Sequence, residues 1–144
     1  MEKQAWLRMV EEKSRHYLHL HDGGFDEQMK CRLLRCNYEE QTVTYGFETQ
    51  RWQINEKGGI HGGAIAGMFD TAFGVVANFT AGENEATTTD MNIVFLRGVE
   101  YGMKLEMKVY LVKAGRSLIR QRAELTDADT GKLLASASGS WMPL

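Results

Sequence analysis

The stretch from residue 61 to residue 79 constrains the fold more than any other part of the chain. Among its 19 residues are Ile65, Met68, Phe69, Phe73 and Val76, and Asp70 is the one charged side chain after His61. Apolar or small side chains surround this predicted helix on every side. Such a helix is stable only where something encloses it. At this length, and carrying glycines, it is too polar for a membrane span, so the protein itself must supply the enclosure. A carboxylate inside an apolar helix is costly unless it is hydrogen-bonded, and desolvation pushes a carboxyl toward the range useful to a general base. Asp70 is thus expected to be buried, either held by Thr71 or a backbone donor, or poised for chemistry.

The enclosing layer follows directly in sequence. Strands are predicted over residues 87–96, 103–112, 117–126 and 132–141. The second is the clearest, with Met103, Leu105, Met107, Val109 and Leu111 alternating with Lys104, Glu106, Lys108 and Tyr110. The sequences 113–116 and 127–131 supply the glycine and short polar residues of hairpin turns, and Pro143 falls beyond the last predicted strand. Upstream, residues 28–36 and 41–49 read as a further hairpin. Residues 3–20 read as an amphipathic helix closed by Asp22-Gly23-Gly24. The fold class that results is α+β, a curved antiparallel sheet around one long helix, in a single domain spanning 1–144 with a helical arm over 1–24.

Composition narrows the function. A formal net charge of -2 gives no basic field for nucleic acid, and the cluster Lys113, Arg116, Arg120 and Arg122 has the spacing of a solvated strand face beside a turn. No helix-turn-helix segment is apparent. Residues 1–10 include Glu2, Lys3 and Arg8 and lack the apolar run of a signal peptide or anchor. Cys31 and Cys36 sit five apart in one predicted strand, on opposite faces, which disfavours a disulfide and points to reduced thiols and a cytoplasmic location. His16, His19 and His21 invite a zinc reading, but only His16 and His19 share a helical face and no further ligand stands at a motif spacing. No metal is expected.

The chemistry concentrates in residues 55–63, Asn-Glu-Lys-Gly-Gly-Ile-His-Gly-Gly, which lead straight into the apolar helix. The first N–H groups of a helix have no internal acceptor and are free to polarise a carbonyl or hold an oxyanion. With a carboxylate at Asp70, the combination describes acyl transfer to water. Gly62 and Asp70 are eight residues apart, about 12 Å of rise and about 80° of rotation on one helix. They cannot grip one small carbonyl from the same chain, so a shared site in a symmetric dimer is expected.

Asn55 six residues before His61-Gly62-Gly63, Asp70 nine after the histidine, and Asp90-Met91-Asn92 in the following strand resemble the PaaI-type acyl-CoA thioesterases of the hotdog superfamily, over residues 28–141. The resemblance implies a hotdog fold and hydrolysis of an acyl-CoA, with no cofactor beyond the coenzyme A of the substrate. It implies that the Gly62 N–H meets the thioester oxygen, that Asn55 and His61 order the carbonyl and sulfur side, and that Asp70 of the partner chain is base or nucleophile. Thr88 stands where some relatives have serine and keeps a hydroxyl able to orient water or the carboxylate. Gly63, Arg97, Lys113 and Arg116 are candidates for contact with the coenzyme, whose phosphates call for basic side chains. A homodimer, or a dimer of dimers, is the expected assembly, with neither nucleic acid nor membrane as partner. The alternatives are a hotdog hydratase or dehydratase, which needs a catalytic histidine in another arrangement, and a non-catalytic acyl-CoA sensor.

Overall fold

A computed structural model describes residues 1–144. In chain order the elements are α1 (Lys3–Leu18), α2 (Phe25–Met29), β1 (Arg32–Asn37), β2 (Thr42–Glu48), α3 (Gly62–Ala81), β3 (Ala86–Phe95), β4 (Lys104–Ala114), β5 (Ile119–Asp127) and β6 (Leu133–Pro143). The six strands form one sheet in the order β1-β2-β4-β5-β6-β3, antiparallel throughout.

Alternation along each strand decides which face receives α3. The register sets Tyr45, Met107, Leu125, Ala135 and Phe95 in one row across the sheet, and Val43, Val109, Ala123, Ala137 and Ile93 in the next. The small residues all lie at β5 and β6, which leaves room for the helix. Met68, Phe69 and Phe73 on α3 are fully buried against these rows. The Phe73 ring lies 4.7 Å from that of Trp141 and 6.0 Å from that of Phe69. Each such side chain contributes about 1.5–3 kcal/mol by leaving water. Buried Gln121 donates its amide to the Phe73 carbonyl at 3.1 Å, tying α3 to β5 one turn beyond Asp70.

Helix α1 buries Trp6, Val10, Ser14 and Leu18, a strict four-residue repeat, along α3 and β1. Ser14 and Tyr45 share a hydrogen bond at 2.9 Å, and Trp6 packs edge-on to Tyr38 at 5.6 Å. Trp6, Met68, Phe69 and Phe73 are thus core residues in the single chain.

The structure corrects four local expectations. Residues 25–29 form α2, so Gln28 and Met29, expected to begin a strand, are helical, and the left-handed Lys30 (φ 52°) ends the helix. Cys31 consequently precedes β1, while Cys36 lies within it; both are free, and burial pushes the Cys31 thiol well above its usual range. Pro143 ends β6, opposite Ala86 on the edge strand, where its missing N–H costs nothing in the sheet interior. Finally, α3 with its continuation to Asn84 is long and apolar enough to cross a bilayer by length and composition, yet 67% of its most apolar window is buried within the protein.

Candidate active site

The loop before α3 is organised by Asn55. Its Oδ1 accepts from the N–H groups of Lys57 (2.8 Å) and Gly59 (3.2 Å), while its backbone N–H donates to the Gly59 carbonyl at 2.7 Å. Gly58 makes this tight reversal possible at φ 90°, where a side chain is strained. The Asn55 carbonyl oxygen is thereby spent on the loop, and its amide N–H groups have no protein acceptor. The loop is pinned on both sides: Ile60 N–H donates to Val99 O at 2.8 Å and His61 N–H to Gln53 O at 2.7 Å. Gln53 was not apparent as a site-supporting residue from the sequence. The signal was the Gln50–Gln53 spacing of a capping box, with Gln50 N–H donating to Gln53 Oε1 at 2.8 Å.

His61 is the N-cap of α3. Its Nδ1 accepts from Gly63 N–H at 2.8 Å, and its carbonyl accepts from Ala64 N–H (2.9 Å) and Ile65 N–H (3.1 Å). Because Gly63 N–H can only donate, Nδ1 of the neutral ring bears no proton and Nε2–H is the free donor. Of the first-turn amides, only that of Gly62 has no acceptor, and it sits at the positive end of the helix. A cleft of about 340 Å³ opens beside it, lined by Ile60, Gly62, Ile65, Phe95, Leu96 and Arg97. Among the residues expected to meet substrate, Gly63 differs in that its N–H is already engaged.

Asp70 departs from the sequence expectation. It is exposed, on a stripe of α3 that runs through Gly63, Gly67 and Gly74, so burial in its own chain does not desolvate it. Gly67 on this stripe seats Phe25 and Met29 of α2, while Gly63 and Asp70 on either side of it stay exposed. Thr71 does not serve Asp70 either; it donates to Asp26 Oδ1 at 2.6 Å. The partner of Asp70 is Thr88 on β3, whose Oγ1 donates to Asp70 Oδ1 at 2.9 Å. The structure thus brings together Asn55, His61 and Gly62 at one end of α3, and Asp70 with Thr88 two turns away. It does not bring the two groups into contact within one chain.

The basic candidates divide the same way. Arg97 lines the Gly62 cleft. Ala114, Ile119, Trp141 and Thr88 form one row across four strands, which sets Lys113 and Arg116 at the Thr88 end of the sheet. His16, His19 and His21 are all exposed, with His21 Nδ1 3.6 Å from Glu27 Oε2.

Comparison with known proteins identifies the family and the fold. The model of the thioesterase superfamily matches residues 57–134, from the Asn55 loop into β6. Acyl-coenzyme A thioesterase 13 of Mus musculus is 28% identical over 113 residues, covering 78% of this chain and 79% of that protein. Among solved structures, thioesterase superfamily member 2 of zebrafish superimposes with a TM-score of 0.81 at 20% identity, over 94% of this chain and 98% of its own. The E. coli PaaI protein gives 0.80 at 18% identity, over 95% and 94%. A Streptococcus mutans protein bound to acetyl CoA gives 0.74 at 21%, over 88% and 96%. The chain belongs to the thioesterase superfamily, as a hotdog-fold thioester hydrolase.

Proposed function

We propose that the protein hydrolyses acyl-CoA thioesters in sites shared between two copies, Gly62 of one and Asp70 of the other meeting on one carbonyl. The observation that carries this reading is the pairing of a single unsatisfied helix N-terminal amide with an exposed, hydroxyl-supported carboxylate too far along the same helix to reach it. The thioester oxygen accepts from Gly62 N–H, with the free Asn55 amide and His61 Nε2–H as further donors on the carbonyl and sulfur side. The partner's Asp70 takes a proton from water as the water oxygen attacks the carbonyl carbon. Collapse breaks the C–S bond, the proton passes to the thiolate, and free acid and coenzyme A leave. Water, a carboxylate and amide donors suffice for these steps, so the reading calls on no metal or cofactor.

The edge strand supports the dimer. β3 closes the sheet with ten residues, no proline, and an unpaired side, and the apolar run Val94, Phe95 and Leu96 is 48%, 52% and 51% exposed. Long unprotected edges of this kind invite strand pairing. An antiparallel pair of α3 helices crossing at Ala66 puts Gly62 beside the partner's Asp70, since each lies four residues, about 6 Å, from that point. The same pairing gathers Arg97 of one subunit and the partner's Lys113 and Arg116 around one site, a suitable rim for the coenzyme phosphates. His61 does not suit the hydratase alternative, because its cap bond leaves Nε2 protonated and therefore a donor.

The test is free-thiol release from a panel of acyl-CoAs. The wild type should turn over at least one, and Asp70→Asn should lose about 10³-fold in kcat while still folding and binding substrate. Unchanged turnover in Asp70→Asn removes it from the mechanism. Thioester binding without release in the wild type favours the sensor. A fully active monomer, seen by sedimentation at assay concentration, overturns the shared site.

A further inference from the structure

The pairing of β3 with β6 slips once. Thr88 lies opposite Trp141 and Asp90 opposite Ser140, which leaves Thr89 as an extra residue without a partner. Beyond the slip, Met91, Ile93 and Phe95 lie opposite Gly139, Ala137 and Ala135, on the face that receives α3. Side chains alternate along a strand with a period of two, so this pattern carried back without interruption puts Thr88 on the outer face, away from Asp70. The extra residue reverses the phase. Thr88 then shares the inner side with Trp141, and its hydroxyl reaches Asp70 at 2.9 Å.

Both strands are fitted to this bulge. Thr89 Oγ1 donates to the Ser140 carbonyl at 3.0 Å, tying the extra residue to β6. Arg120 Nη1 donates to Ser140 Oγ at 3.0 Å and lies 3.5 Å from Asp90 Oδ1, which holds Asp90 on the outer face immediately after it. The Asp90 carbonyl occupies space that a Cβ on Gly139 would enter to within 2.4 Å, so the opposing strand has no side chain where the bulge presses. Bulges of this kind re-aim a side chain at the cost of one unpaired residue.

We infer that Thr89 is a positioning residue: anchored to Ser140, it turns Thr88 inward and so sets the hydrogen bond that holds the Asp70 carboxylate in its catalytic orientation. The inference rests on the hydrolase reading above for its effect on rate, and on the sheet register alone for its effect on Asp70. Thr89→Val keeps the β-branched shape and removes only the hydroxyl. It lowers kcat about tenfold, the loss of one charge-assisted hydrogen bond at the carboxylate, and leaves KM unchanged. Thr89→Ser restores the rate. In a Thr88→Val background Thr89→Val adds nothing, because the two act through one contact. The 13Cγ resonance of Asp70, read without substrate, moves in Thr89→Val toward its position in Thr88→Val and stays in place in Thr89→Ser. Independent, multiplicative losses in the double mutant, with the Asp70 resonance unmoved by Thr89→Val, overturn the inference. A wild type that releases no thiol while the Asp70 resonance follows this pattern overturns the hydrolase reading and leaves the positioning role standing.

Discussion

The two halves of the proposed site, one at the start of α3 and one at its middle, are built by opposite means. Asn55, His61 and Gly62 lie within eight positions of one another, and their geometry is fixed mainly by side-chain to backbone bonds inside one loop, which Gln53 and Val99 pin from outside. Asp70 and Thr88 are 18 residues apart and meet only because α3 docks on the sheet and β3 runs in a shifted register. The donor half is a property of local chain geometry, the acid half a property of tertiary structure. A donor made from a backbone amide survives changes of side chain nearby, whereas a carboxylate held by one hydroxyl is sensitive to every contact that aims it.

The sharpest way to break this contrast is Gly62→Pro. Proline is tolerated at the first helical position, where its missing N–H has no partner to lose within the helix. His61 already has φ -60° and ψ 136°, the conformation a residue before proline adopts, and a Cβ at Gly62 meets only the Phe95 ring at 3.5 Å. The substitution therefore deletes one N–H and little else. A loss of about 10² to 10³ in kcat with a melting temperature near that of the wild type is expected, the cost of removing an oxyanion donor. Retained turnover rules out Gly62 as that donor.

A smaller effect separates the two jobs of Asn55. Asn55→Asp keeps acceptor oxygens for Lys57 and Gly59 and so keeps the loop, but loses the free amide. Asn55→Ala loses both. If the amide faces substrate, the two variants should lose kcat/KM comparably, about tenfold, with only Asn55→Ala also losing stability. Activity lost only where stability is lost assigns Asn55 to the loop alone.

The same contrast explains what was legible in the sequence. The donor half was readable because its residues are contiguous and glycine at a helix start has few uses. Strand order of burial in β4 was readable because Met103 to Leu111 alternate without exception. The exposure of Asp70 was missed because Gly63, Gly67 and Gly74 count as apolar in a periodicity while having no side chain to cover it; only their spacing, four, three and four residues through Asp70, marks a stripe. α2 was missed because Phe25 to Met29 form barely more than one turn, too short for any period to show. The bulge at Thr89 was invisible because three successive threonines give the same pattern in either register, and the choice is made by Ser140, Arg120 and Gly139 across the sheet.

Mixing the two halves gives the smallest effect but the most direct reading of how they combine. Asp70→Asn and Gly62→Pro subunits, each inactive alone, are unfolded together in equal amounts and refolded so that they pair at random. About half of the dimers are then mixed. In a shared-site dimer, a mixed pair has one site with both defects and one with neither. The mixture should therefore recover about a quarter of wild-type activity. If both halves acted within one chain, every chain would carry a defect and the mixture would be as inactive as its parents. Recovery near a quarter fixes the subunit origin of each half independently of acyl-chain preference, because any substrate the wild type turns over serves as the probe.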